Sequence, residues 1–217
     1  MSDQQALSAG NISEWLRCTR AALKDDSGAE VPCGECTACC RSSYFIHIQP
    51  HETATLSHIP DELLFPAPGL PKGNVLMGYD EQGHCPMLKN GACSIYEYRP
   101  ATCRSYDCRI FPATGIVLTG KDRTLISQQA QRWKFSPSDS VDQQTQKALQ
   151  KAGSFLRNKS KWFAPGELPG NSTQLAIMAI KVYDLFLDEG EQSIDDAKMA
   201  KAIIEVLKKF DAQRDPL

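Results

Sequence analysis

Cys33-Gly34-Glu35-Cys36-Thr37-Ala38-Cys39-Cys40 places four cysteines within eight residues, and a second group follows at Cys85, Cys93, Cys103 and Cys108. Two residues between successive cysteines let one turn of backbone aim both sulfurs at a centre about 2.3 Å from each, the spacing of zinc ribbons and iron-sulfur proteins. Gly34 eases that turn. The eight cysteines equal the number needed for two four-thiolate sites, and no cysteine follows Cys108. The chemistry is therefore concentrated in one segment of the chain.

Composition narrows what surrounds that segment. The chain has 217 residues and 24.0 kDa, with 24 basic and 26 acidic residues, a formal charge of -2 and a pI near 6.1. A chain of this length buries roughly 70% of its unfolded surface without cross-links, so small size does not explain nine cysteines. The near-balanced charge gives no general attraction for phosphate backbones or anionic lipid, so neither nucleic acid nor a membrane surface is an expected partner. The first thirty residues lack the basic start and apolar run of a secretory signal. Residues 175–187, the longest apolar-rich stretch, contain Lys181 and Asp184 and are too short to span a bilayer. A cytoplasmic protein is expected, where reduced thiols point to metal binding or thiol chemistry rather than disulfides.

The surrounding sequence reads as α+β: a loop-rich metal-binding region with short strands at 26–125, preceded by an N-terminal helix within 1–25 and followed by a helical region at 126–217 packed as one unit with it. Ile12, Trp15, Leu16, Thr19 and Leu23 recur at helical spacing after Asn11 or Ser13 as cap, which predicts a helix over 12–25. Residues 44–48 read as a strand, 51–56 as a short helix, and the proline-rich 60–73 as irregular loop. Gln82-Gly83 and Asn90-Gly91 predict tight turns on either side of Cys85-Pro86-Met87-Leu88 that bring Cys85 and Cys93 together. A further strand is expected at 116–119. Three helices follow: one from Val141 onward, one over 175–187 and one over 194–210, the last capped by Ser193 with Asp196. Few long apolar repeats occur in 26–115, so bound metal is expected to take the place of a conventional core there.

A metal held by four thiolates is a net anion and calls for positive charge nearby. Cys40-Arg41, Cys103-Arg104 and Cys108-Arg109 each put an arginine directly after a cysteine, and Arg99 precedes Cys103 by four residues. Arg41, Arg99, Arg104 and Arg109 are the candidates for neutralising the site. The spacing of Cys33, Cys36 and Cys39 repeats that of the bacterial ferredoxin run and favours an iron-sulfur cluster, [4Fe-4S] in type. The gaps among Cys85, Cys93, Cys103 and Cys108 also suit zinc. Cys39 and Cys40, being adjacent, diverge and are expected to serve different metals or different iron atoms.

The ordered cysteines, together with Cys85-Pro86-Met87-Leu88, Cys93-Ser94-Ile95-Tyr96-Glu97-Tyr98-Arg99-Pro100 and Cys103-Arg104-Ser105-Tyr106-Asp107-Cys108, resemble the CxxCxxCC, or YkgJ-like, cysteine-cluster family. The resemblance implies zinc or iron chelation by Cys33, Cys36, Cys39, Cys40, Cys85, Cys93, Cys103 and Cys108. The flagellin lysine N-methylase carries a similar module in a longer chain, so the resemblance also implies protein modification, with a protein substrate or partner.

Other residues read more plainly. Cys18 is expected to be a small buried hydrophobe of the first helix, and His84 a turn residue. His47, His51 and His58 surround the strand and helix after Cys40, and are candidates to line an open metal position or to be solvated. Glu97 is expected to pair with Arg99 and brace the loop between Cys93 and Cys103, with Tyr96 and Tyr106 alongside. The basic run from Lys147 to Lys161 reads as a solvated helix face.

Overall fold

The structure is a computed structural model and describes residues 5–25, 31, 33–118, 124–187 and 195–212. In chain order its elements are β1 (Leu7–Gly10), α1 (Ile12–Asp25), β2 (Ile46–Ile48), α2 (Thr53–Leu56), β3 (Leu64–Pro66), β4 (Val75–Met77), β5 (Leu88–Lys89), β6 (Ala92–Cys93), α3 (Ala101–Ser105), α4 (Ile110–Thr114), α5 (Thr124–Arg132), β7 (Trp133–Phe135), α6 (Ser140–Asn158), α7 (Ser172–Val182) and α8 (Asp196–Asp211). The architecture is α+β, with short strands in small sheets. Two compact units divide the chain: a helical unit of Met1–Ser27, Cys108–Thr119 and Ala130–Leu217, and a cysteine unit of Gly28–Asp107 and Gly120–Gln129.

In the helical unit, Asn11 caps α1 by accepting the Glu14 amide at 2.9 Å, and Ile12, Trp15 and Leu16 are buried. Cys18, by contrast, is exposed. A helix advances about 100° per residue, which carries Cys18 well round from that stripe, so it is not the core residue expected from sequence. Asp142 ties the start of α6 to α1, accepting from Asn11 Nδ2 at 2.5 Å and from the Ser138 amide and hydroxyl at 2.7 and 2.6 Å. Hydrogen bonds from Ser13, Ser138 and Asn11 hold its carboxyl well below the usual carboxylate range.

The helical core comes from Leu149, Ala152 and Leu156 of α6, Ala179, Ile180 and Val182 of α7, and Ile203 of α8. Asn171 caps α7, which ends at Val182 and passes into a 3-10 turn, Tyr183–Phe186, instead of continuing as one helix to 187. Asp195 caps α8 through the Ala197 amide at 3.3 Å; Ser193, the expected cap, lies outside the described residues. β1 and β7 pair in parallel with Leu7 opposite Trp133.

Residues 116–118 form no strand, and Thr119 lies outside the described residues. Gly115 turns the chain at φ 67°, and Ile116 is buried beside Gly153 of α6, so its apolar side chain serves helix packing rather than a ladder. α4 approaches α6 so closely that a Cβ on Gly153 would stand 2.1 Å from the Thr114 carbonyl oxygen.

The cysteine unit is built on an antiparallel sheet of order β2-β4-β3, with Met77 opposite both Ile46 and Leu64. β3 falls in the stretch expected to be irregular. It forms because Leu64 and Phe65 extend onto a sheet edge, where the missing amide of Pro66 costs no ladder bond. Ile48 and Met77 pack with Ile59, Met87 and Ile95 into a small apolar core, and Cys85 and Cys93 are packed against it. The region therefore has a core of its own, which corrects the expectation that metal stands in for one. The β2-β4-β3 sheet supplies apolar side chains that helix-length periodicity does not reveal.

Gly153→Ala should lower stability by about 1–3 kcal/mol in urea unfolding, because the added methyl meets a backbone oxygen that only a shift of α4 can clear. An unchanged midpoint would show that α4 and α6 have room to separate.

Candidate metal centre

Three stretches of the cysteine unit carry its sulfurs. In the first, the Cys36 amide donates to the Cys33 carbonyl at 2.9 Å, closing a turn in which Gly34 takes φ 52°. Cys39 and Cys40 open a 3-10 turn, Cys39–Arg41, pinned where Ser42 Oγ donates to the Ala38 carbonyl at 2.6 Å. The Cys85 amide donates to the Cys40 carbonyl at 2.7 Å and the Ser43 amide to the Gly83 carbonyl at 3.0 Å, so the first and second stretches run side by side.

The second stretch is shaped by Asp80 and by a hairpin. Asp80 Oδ1 accepts the amides of Gln82 and His84 at 3.0 and 2.8 Å, folding the turn that delivers Cys85. Asn90 and Gly91 both take positive φ, 52° and 78°, which closes β5 on β6 and sets Cys93 opposite Leu88. The expected turns are thus formed, and Cys85 and Cys93 act on one another electrostatically.

The third stretch is α3, which carries Cys103. Its first amide, that of Ala101, donates to Glu52 Oε2 at 2.6 Å, while Glu52 Oε1 accepts the Gln49 amide at 2.9 Å. Thr102 Oγ1 donates to the His47 carbonyl at 2.7 Å. A buried carboxylate and a hydroxyl therefore dock α3 onto β2 and the loop that follows it. Neither Glu52 nor Thr102 is a candidate from sequence, since each acts across about fifty residues.

The nine cysteines are present as thiols, with no disulfide among the described residues. Burial pushes the Cys40 thiol up to about 12, helped by Cys85, Cys93, Cys33 and Cys36. Burial pushes Cys103 up further, helped by Cys85, Cys40 and Cys93 and opposed by the positive charge of Arg99. Cys40, Cys85, Cys93 and Cys103 thus share one neighbourhood, and Cys33 and Cys36 reach it through Cys40. Burial also raises Cys85, opposed by the backbone N–H groups of Met87 and Leu88, which lower the cost of a thiolate there. Among the described residues, no three His, Cys, Asp or Glu side chains stand at the spacing of a bound ion. In its chemistry this donor set fits a thiophilic cation, because a cation relieves the repulsion that keeps grouped sulfurs protonated.

Residues 32–125 match the model of one protein family, CxxCxxCC, described as a "putative zinc- or iron-chelating domain". This segment is a CxxCxxCC domain. No curated protein and no solved structure matches the chain.

The four arginines singled out in sequence are placed differently. Within the CxxCxxCC domain, the charge of Arg99 reaches the Cys103 thiol. Its guanidinium carbon stands 3.6 Å from the centroid of the Tyr96 ring, and its Nε is buried without a hydrogen-bond partner among the described residues. No ion pair joins Arg99 to Glu97, which is exposed; the ring, not the carboxylate, braces Arg99. Arg41 is exposed and Arg104 half-buried on α3. Arg109 lies in the helical unit, 5.9 Å from the Trp133 ring centroid, and Cys108 is buried in that unit.

The histidines of the domain have other uses. His47 Nε2 meets Asn74 Oδ1 at 2.8 Å, His58 stacks on Tyr98 at 3.7 Å, and His84 belongs to the Asp80 turn. His51 is exposed. The Tyr106 hydroxyl lies 3.3 Å from that of Tyr44.

Two outcomes check this geometry. Glu52→Ala should lower stability by about 1–3 kcal/mol in urea and speed alkylation of Cys103, since two backbone N–H groups lose their acceptor; unchanged alkylation would mean Glu52 does not hold α3. The second concerns pH in the metal-free protein. Unfolded thiols titrate near 9.0 and folded Cys40 near about 12, so over that interval the folded chain holds protons that the unfolded chain has lost. Stability should therefore fall as pH rises through this window. A Cys40→Ser, Cys103→Ser double variant should show a shallower fall, and an identical slope in urea midpoints would contradict the assignment.

Proposed function

We propose that the CxxCxxCC domain holds an iron-sulfur centre through thiolates drawn from Cys33, Cys36, Cys40, Cys85, Cys93 and Cys103, with Cys39 in the same loop. One observation carries the reading: the Cys36 amide closes a turn on the Cys33 carbonyl at 2.9 Å, so the first gap of the ferredoxin-like Cys33, Cys36, Cys39 spacing is folded as such a loop. When bound, the centre would supply one-electron transfer.

The chain's own contribution is to orient and compensate. The Met87 and Leu88 N–H groups favour a thiolate at Cys85, Arg99 brings positive charge to Cys103, and the apolar core behind Cys85 and Cys93 limits water on that side. The thiol state fits a reducing compartment, and the cytoplasm is the compartment we assign; no helix among the described residues is long and apolar enough to cross a membrane.

Zinc is the second reading, favoured by the β5–β6 hairpin that carries Cys93 beside the Cys85 stretch, separated cysteines of the kind a zinc site uses. It would make the domain a zinc-stabilised module for binding a protein partner. Methyl transfer rests on the resemblance alone and forms no part of either reading.

Anaerobic purification with elemental analysis and a visible spectrum separates the two. A brown protein with broad visible absorption, containing iron and acid-labile sulfide and losing both on Cys103→Ser, is the expected result. A colourless protein with about two zinc ions per chain would establish the second reading instead. Protein that takes up neither metal after reconstitution would overturn both.

A further inference from the structure

The helical unit contains a groove of about 540 Å³ lined by α1, the first turns of α6 and Tyr183. Arg17, Arg20 and Lys24 line it from α1, together with Leu16, Ala21 and Val141. We propose that this groove docks an acidic, amphipathic helical segment of a partner protein.

The three cations recur at i, i+3 and i+7, a stripe about 10 Å long on one side of the helix. Among the groove-lining residues none is acidic. Arg20 is already set in place: its Nη1 meets Asp184 Oδ2 at 2.6 Å, and its guanidinium carbon lies 4.9 Å from the Tyr183 ring centroid. Arg17 is exposed, with no ion pair or hydrogen bond among the described residues, and Lys24 has only the Phe210 ring at 5.3 Å. Two cations are therefore left to a visitor, in a chain whose formal charge is -2 overall.

The apolar side of the groove separates this site from a plain solvated face. Val141 is 61% exposed, opposite the cationic stripe rather than packed in the core. Charge on one wall and a bare β-branched side chain on the other complement a helix with carboxylates at i, i+4 and i+7 and an apolar residue between them, the helix-in-groove mode. The bonds from Asn11 and Ser138 to Asp142 clasp α1 to α6 and hold the walls before a ligand arrives.

The test uses the full chain and a fluorescein-labelled helical peptide with Glu at i, i+4 and i+7 and Leu between them, followed by fluorescence anisotropy. Saturable binding is expected, weakening as salt is raised, falling at least tenfold in the Arg17→Glu, Lys24→Glu double variant, and falling similarly in Val141→Asp. Thermal midpoints of the variants report whether they fold; if the double variant does not, Arg17→Gln alone, with an expected several-fold loss, takes its place. No saturable binding to the wild-type chain would overturn the proposal. So would undiminished binding to Val141→Asp, which would reveal mere charge attraction, or tighter capture of phosphatidylserine vesicles or single-stranded RNA through the same cations. Metal content of the cysteine unit does not enter this measurement, so its outcome is independent of the metal reading.

Discussion

Sulfur atoms gathered in a half-buried cluster cannot all give up their protons unless a cation is among them. Each thiolate formed raises the cost of the next, and the poor solvation of the site adds to that cost. The surroundings of the six thiols answer this constraint. The Met87 and Leu88 N–H groups favour a thiolate at Cys85, a guanidinium braced on Tyr96 lies where its charge reaches Cys103, and apolar side chains back Cys85 and Cys93. The cluster combines a high density of potential negative charge with only modest compensation from the protein, which is the condition under which a metal ion is the best available partner.

Placement of the sulfurs depends on backbone groups more than on sulfur chemistry. A hairpin turn sets Cys93, an aspartate-nucleated turn sets Cys85, and Glu52 holds the helix that carries Cys103. Glu52 accepts two amides from segments far apart in the chain and so acts as a clamp that a neutral side chain of the same size could only half replace.

Features written in local patterns were legible in the sequence. Gly34 and the two-residue gap specify the Cys33–Cys36 turn, Asn90-Gly91 specifies the hairpin, and apolar periodicity specifies α1, α6 and α8. What was not legible depends on partners distant in the chain. The bonds from Ala101 to Glu52 and from Thr102 to His47 span 49 and 55 residues and leave no spacing signature. β1 and β7 are too short for alternation to register, and β3 hides among prolines because an edge strand tolerates them. Cys18 was misplaced because cysteine is equally at home in a core and on a surface, and Ile116 because an apolar run does not say whether it meets a strand or a helix. Gly153 carries no sign in the sequence that a neighbouring carbonyl occupies the space of its missing methyl.

The bonds from Cys85 to Cys40 and from Ser43 to Gly83 join two sulfur-bearing segments through the main chain alone. In small zinc modules the ion is the only fastening, and departure of the ion dissolves the fold. Here the two segments are fastened to one another by backbone hydrogen bonds. An ion held by these sulfurs would be able to leave by opening of its ligands without unfolding of the chain, because the main-chain bonds between the segments do not pass through it.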